Sequence, residues 1–147
     1  ELVPAEGDPL ALAPEGLTLA PGSGPWLAME GVRRALAGGA INFTRIWAPA
    51  AYVSILPELE GGARSVCGLI ERRFGVRVAE VAQEMTGATL CARSARALGR
   101  GAADPAILLL RSYLDAEARP VLVSASWRPA DTFSYSIRLQ RDDTAGM

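Results

Sequence analysis

No histidine and no lysine occur in the sequence, so all 15 basic residues are arginines. Histidine is the commonest general base and a frequent metal ligand, and its absence excludes a Ser-His-Asp triad and histidine-based metal sites. Cysteine is scarce as well. Cys67 and Cys91 form no CxxC and stand far apart, which reads as two buried or half-buried free thiols, with a disulfide as the lesser alternative. No apolar run reaches the ~20 residues that a membrane span needs, and no charged-then-apolar leader opens the chain. A cytoplasmic location without a membrane partner is therefore expected. The first residue is Glu1 rather than methionine, which reads as a piece of a longer protein with material upstream. The residues assign no metal, no cofactor and no catalytic group.

What is present describes an ordinary globular domain. The 147 residues are 50% hydrophobic and 21% charged, with a net charge of −1. That is enough chain to bury roughly two-thirds of the surface it would expose unfolded. The charge is balanced and the arginines are scattered rather than gathered into a stripe, which argues against direct nucleic-acid binding by this chain.

Residues 1–25 are rich in proline and glycine without sustained periodicity and read as a linker or leading arm, with a short helical turn near Leu17–Ala20. Trp26–Leu36 and Ile41–Trp47 are strand-like runs around the turn Ala37-Gly38-Gly39-Ala40, a first hairpin. Pro49 precedes a short helix that Pro57 and Gly61-Gly62 end. Within Arg64–Phe74, Val66, Leu69, Ile70 and Phe74 recur at helical spacing, and Gly75 stands where a C-terminal cap takes a left-handed residue. Val76–Gln83 alternates as a strand, and Ala88–Leu98 reads as a second long helix stopped by Gly99. The clearest pattern lies in the last third. An apolar run reaching Arg111 and Tyr113, a polar corner at Asp115–Pro120 and a second run at Val121–Trp127 make a hairpin. Phe133–Gln140 then alternates strictly, which predicts a third strand and a meander. The resulting order, β-β-α-β-α-β-β-β, is an α+β fold in which an antiparallel sheet is covered by helices on one side.

The stretches SVCGLIERRFG (65–75), VAEVAQEMTGATLCARSARALG (78–99), LLLRSYLDAEARPVLVSASW (108–127) and ADTFSYSIRLQR (130–141), with GVRRALAGGAINFTRIWAPAAY (31–52) before them, carry a resemblance in their order and spacing. Together they resemble the UTRA domain, the effector-binding domain of the HutC branch of GntR-type bacterial transcription regulators. The resemblance divides the chain into a leading arm (1–16), the domain (17–141) and a C-terminal tail (142–147). It implies a chorismate-lyase-like fold and a sensor that is not an enzyme. Such a sensor is a homodimer that binds a small-molecule effector, here an acidic metabolite. The effector controls a repressor through an N-terminal winged helix-turn-helix domain, absent from this sequence, that meets operator DNA.

Carried over residue by residue, the resemblance implies ligand contacts from Arg34 or its neighbour Arg33, from Thr44 on the second strand, from Ser65 and Cys67 at the start of the first long helix, and from Arg111, Tyr113, Ser124, Ser126 and Tyr135. The chemistry is coherent on its own. Free N–H groups at a helix start attract an anion, and a guanidinium offers a planar fork to a carboxylate or phosphate. Plainer readings stand beside it: Arg34 as a solvated strand residue, Ser65 as a helix cap, Tyr113 and Tyr135 as core aromatics, Ser124 and Ser126 as water-facing. Arg111 interrupts the run Ile107–Leu110 and is expected to be paired, with ligand or a structural carboxylate, rather than exposed. Sugar-phosphate-sensing members of the family carry glutamates where this sequence has Thr44 and Leu122, and a tyrosine where it has Cys67. These departures point to a smaller or more apolar acid, because a site specifies sugar hydroxyls through such partners. The enzymatic alternative is a chorismate-lyase-like activity on a small carboxylic acid with Glu84 as candidate acid, and a third reading is a ligand-free dimerisation module.

Overall fold

The computed structural model describes residues 2–9, 12–14, 25–59 and 65–141. Its frame is one antiparallel sheet of six strands: β1 (Leu2–Pro4), β2 (Trp26–Arg34), β3 (Ala40–Pro49), β4 (Glu80–Thr89), β5 (Pro105–Leu114) and β6 (Pro120–Pro129). Their order across the sheet is β1-β2-β3-β6-β5-β4. Two hairpins, β2–β3 and β5–β6, thus meet at the β3–β6 seam in the middle. The α+β antiparallel class read from the sequence holds.

Period-two alternation gives the sheet two faces. Helix α2 (Val66–Phe74) lies on the face that carries Met29, Ala48 and Leu122, and its Val66, Leu69 and Ile70 complete that core. Met29 and Ile70 are fully buried, each worth about 1.5–3 kcal/mol of transfer free energy. A 3-10 turn at Ala50–Ile55 and a single helical turn, α1 (Leu56–Leu59), pack into the same cluster. Pro57 does not end this helix but occupies its first turn, where the missing N–H costs nothing. The other face carries Trp47, Leu108, Val123 and Ala125, with α3 (Ala92–Leu98) over Phe43 and Ala106 at one end. The helices therefore cover both faces and not one, a division that each strand's own alternation cannot reveal. Gly75 and Gly99 cap α2 and α3 at φ 65° and 66°, a conformation that glycine adopts without the clash of a Cβ.

Four other expectations change. The leading arm supplies an edge strand, since Leu2, Val3 and Pro4 pair with Gly31, Glu30 and Met29; a strand that short and ending in proline leaves no periodic signal. The run beginning at Val76 becomes a strand only at Glu80. Val76 and Val78 pack on the α2 core, and the Val78 amide donates to Glu71 Oε1 at 2.9 Å instead of to a strand. The strand then runs on to Thr89, so the second long helix starts at Ala92, not Ala88, with the Cys91 sulfur accepting from the Ser94 amide as its cap. Finally, among the described residues Phe133–Gln140 pairs with no strand, and a 3-10 turn at Ala130–Thr132 is the last regular element. The meander is a hairpin followed by a segment without regular structure. The turn near Leu17–Ala20 and the Gly61-Gly62 terminator lie outside the described residues.

The face bearing α3 also holds buried charge. Glu30 and Arg45 are opposite one another on β2 and β3, 4% and 7% exposed, and joined at 2.9 Å. Arg93 from α3 reaches the second Glu30 oxygen. Burial lowers the Arg45 pKa below its ordinary value, the cost of holding a charge away from water, which a paired carboxylate offsets. On its far side Arg45 donates to the Leu12 carbonyl at 3.1 Å, and Trp47 Nε1 donates to the Pro9 carbonyl at 2.8 Å, which fastens the arm across the sheet. Glu30→Ala strands the Arg45 guanidinium without a counter-charge. Urea unfolding followed by circular dichroism is expected to show a loss of about 3 kcal/mol, whereas a loss below about 1 kcal/mol contradicts this role.

Candidate functional site

On the α2 face, the centre of the sheet stays open as a cleft of about 270 Å³. Its floor follows from register. Ile46, Ser124, Arg111 and Gln83 form one rung across β3, β6, β5 and β4, and Thr44, Ser126 and Leu109 form the next. The Thr44 and Ser126 hydroxyls bond each other at 2.8 Å. Tyr113 and Leu122 form the adjoining rung toward the α2 core, and Ser65, Val66 and Cys67 bring the start of α2 to the wall. Arg33 and Asn42, paired on β2 and β3, stand at the other side.

Electrostatically the cleft is one-sided. Two guanidiniums, Arg33 and Arg111, line it, and among the described residues no aspartate or glutamate does. Arg111 Nε donates to Gln83 Oε1 at 2.6 Å, which steers the side chain while leaving its charge without a carboxylate partner among the described residues. The Ser65 hydroxyl accepts from the Gly68 amide at 3.3 Å, and the first amides of α2 have no intrahelical partner by construction. Asn42 Oδ1 is buried with no hydrogen-bond partner. Arginine, helix-start amides and hydroxyls are groups with which an anion can be held. They offer no general base.

All but two of the residues named from the sequence meet here: Arg33, Thr44, Ser65, Cys67, Arg111, Tyr113, Ser124 and Ser126. Arg34 does not. It is exposed at the end of β2, and its Nη1 donates to the Gly38 carbonyl in the hairpin turn. Tyr135 lies on the segment after the last 3-10 turn, 60% exposed. Arg111 also departs from expectation, being exposed and bonded to a neutral amide, because the strand face it enters is an open cleft and not core. Asn42 was missed, although it precedes Thr44 by one period of the strand; Leu2, which also lines the cleft, gave no signal. Glu84 points away. Its position on β4 belongs to the opposite face, and it accepts from Thr86.

A second depression of about 550 Å³ lies between Tyr52, Gly75–Arg77 and the β5–β6 turn. It is larger, but its turn charges satisfy one another. Asp115 accepts from the Arg119 amide, which is the chief cause of its lowered pKa, and from the Arg119 side chain.

Both cysteines are free, and Cys91 is exposed rather than half-buried. Burial pushes the Cys67 thiol up, and the Glu71 carboxylate adds to this. Burial acts the same way on Cys91, but hydrogen bonds from Ser94 and the Arg93 amide, with the Arg45 charge, outweigh it and hold that thiol below its usual value. The thiolate is the reactive species. At pH 7.5, iodoacetamide is expected to alkylate Cys91 about tenfold faster than Cys67, read by peptide mass spectrometry; the reverse order contradicts these environments.

The model of the UTRA domain family matches residues 17–134. No curated protein sequence matches the chain. Among solved structures, the effector domain of PhnF from Mycobacterium smegmatis superposes with a TM-score of 0.70 at 20% identity, covering 96% of this chain and 84% of that one. The longer PhnF structure from the same organism gives 0.67 at 20% identity over 97% of this chain, which spans 61% of that chain's length. A transcriptional regulator of the GntR family from Enterococcus faecalis V583 gives 0.70 at 16% identity, covering 95% and 96% of the two chains. At these identities the likeness establishes the fold.

Proposed function

The chain belongs to the UTRA domain family, and from that premise we propose that it is the effector-binding and dimerisation domain of a cytoplasmic GntR-type regulator of the HutC branch. In this reading a small acid occupies the cleft between α2 and the sheet. Its binding controls how an N-terminal winged helix-turn-helix domain of the whole protein, a repressor, meets operator DNA. The observation that carries the reading is the composition of the cleft: Arg33 and Arg111, the start of α2, the Thr44–Ser126 hydroxyl pair, and no carboxylate among the described residues.

The same composition narrows the effector. Thr44, Leu122 and Cys67, where sugar-phosphate-sensing relatives carry glutamates and a tyrosine, all line the cleft. Two neutral side chains in place of carboxylates remove acceptors for sugar hydroxyls and lower the cost of burying an anion. A cleft of about 270 Å³ suits a small carboxylate or phosphate with a short apolar body. Lyase chemistry is less well supported, because its candidate acid Glu84 belongs to the other face of the sheet.

A thermal-shift series with small carboxylates, phosphate esters and amino-acid catabolites tests the reading. At least one class is expected to raise the Tm with a logarithmic dependence on concentration. Arg111→Ala, a change at an exposed residue, is expected to weaken that ligand by about 2 kcal/mol, roughly thirtyfold. Equal binding by the variant, or no stabilisation from any class, counts against the cleft as effector site. Product formation from chorismate counts for the lyase.

A further inference from the structure

Three guanidiniums stand on the cleft-side face of the sheet. Arg33 and Arg111 line the cleft itself. Arg128 belongs to the same face, because β6 alternates and Ser126 and Ser124, two and four residues before it, line the cleft. Elsewhere Arg45, Arg73, Arg93, Arg100 and Arg119 each reach a carboxylate, whereas these three reach none among the described residues.

Register sorts the three into two ends. Arg111 shares a rung with Ser124 and Ile46, on the side toward the α2 core. Arg33 is paired with Asn42 at the other side, and one residue beyond the Phe43–Trp127 rung of β3 and β6, Arg128 falls beside Asn42. This second end is also where hydrogen bonding is incomplete. Among the described residues, the buried side-chain polar atoms without a partner are Asn42 Oδ1 and Arg128 Nε, both from this rung. Arg128 Nη2 donates to the Thr132 carbonyl at 3.2 Å, and its guanidinium lies 5.7 Å from the Phe133 ring centroid. Those contacts hold the side chain in place but bring it no negative charge. A buried donor left unpaired is costly, and an acceptor supplied from outside relieves that cost.

We propose that the effector is two-headed, with one acidic group held by Arg111 and the start of α2 and a second, carboxylate or phosphate, held by Arg33 and Arg128. The Asn42 amide, which turns about its last torsion, donates its N–H to the second group. The Thr44–Ser126 hydroxyl pair lies on the rung between the two ends and faces the short body that joins the heads. Ser124 and Arg128 are four residues apart on β6, so the backbones of the two ends are separated by about 13 Å, an upper bound on the span of the acids. A single-headed acid leaves one end without a counter-charge. This rests on the cleft as effector site and adds the ligand's second group.

The test is isothermal titration of the 147-residue chain at pH 7.5 and 0.15 M salt, where general attraction between exposed charges is screened. The probes are glutarate, adipate and 3-phosphonopropionate, with valerate and hexanoate as single-headed acids and malonate as a dianion too short to span. At least one two-headed probe is expected to bind about tenfold or more tightly than the single-headed acids and than malonate. Arg33→Gln, at an exposed residue, and Arg128→Gln are each expected to bring that ratio toward one, and the Arg33 variant carries the test if the Arg128 variant does not fold. Single-headed acids or malonate binding as tightly as the longer diacids, or a ratio that neither variant lowers, overturns the second head and leaves the cleft as effector site. No binding by any acid overturns both.

Discussion

The pairing of β3 with β6 is the constraint from which the rest of the molecule follows. Five rungs, from Phe43–Trp127 to Trp47–Val123, join two hairpins that are far apart in sequence. Neither hairpin is a stable sheet alone. Once joined, they place Thr44 against Ser126 and Ile46 beside Ser124 on one face, and Phe43, Arg45 and Trp47 against Trp127, Ala125 and Val123 on the other. A slip of one residue along this seam would exchange the faces. The hydroxyls would enter the apolar cluster, and the aromatic rings would fill the cleft. The site and the core are thus specified by a single register.

Polar groups on the two faces have opposite fates. Behind the sheet, Glu30 is shared by Arg45 and Arg93, and Arg45 lies 5.6 Å from the Phe43 ring centroid, so the buried charge is compensated on every side. In front, Arg111, Arg33 and the Asn42 carbonyl are left with partners missing or neutral. The charges behind the sheet are thus met by opposite charge, while the two cleft guanidiniums have no carboxylate partner among the described residues.

Much of this was legible in sequence where local chemistry and tertiary structure agree. The glycine caps after Phe74 and Leu98, the hairpin corner at Asp115–Pro120 and the Ser65 cap all appear as read. The cleft residues were legible for a different reason: a family motif fixes their spacing, and sheet register converts that spacing into proximity. What escaped has a physical cause in each case. The strand β4 is exposed almost throughout, so it has no buried face to impose a period. The arm's strand is three residues long. The segment Phe133–Gln140 misled in the other direction, because alternation records which side chains seek cover and not which backbone supplies it. Nothing in the one-dimensional pattern showed that Glu30, Arg45 and Arg93 converge.

One strand serves both the cleft and the arm. Thr44 and Ile46 line the cleft, while Arg45 and Trp47, one step along the same backbone, hold the carbonyls of Leu12 and Pro9. Side chains that alternate across a pleat share one rigid backbone, so a shift of β3 that accommodates an occupant in front displaces the donors behind. Linkage makes the relation two-way. Whatever coupling exists between the hold on Pro9 and Leu12 and an occupant of the cleft is carried by the backbone of β3, and by linkage it acts equally in both directions.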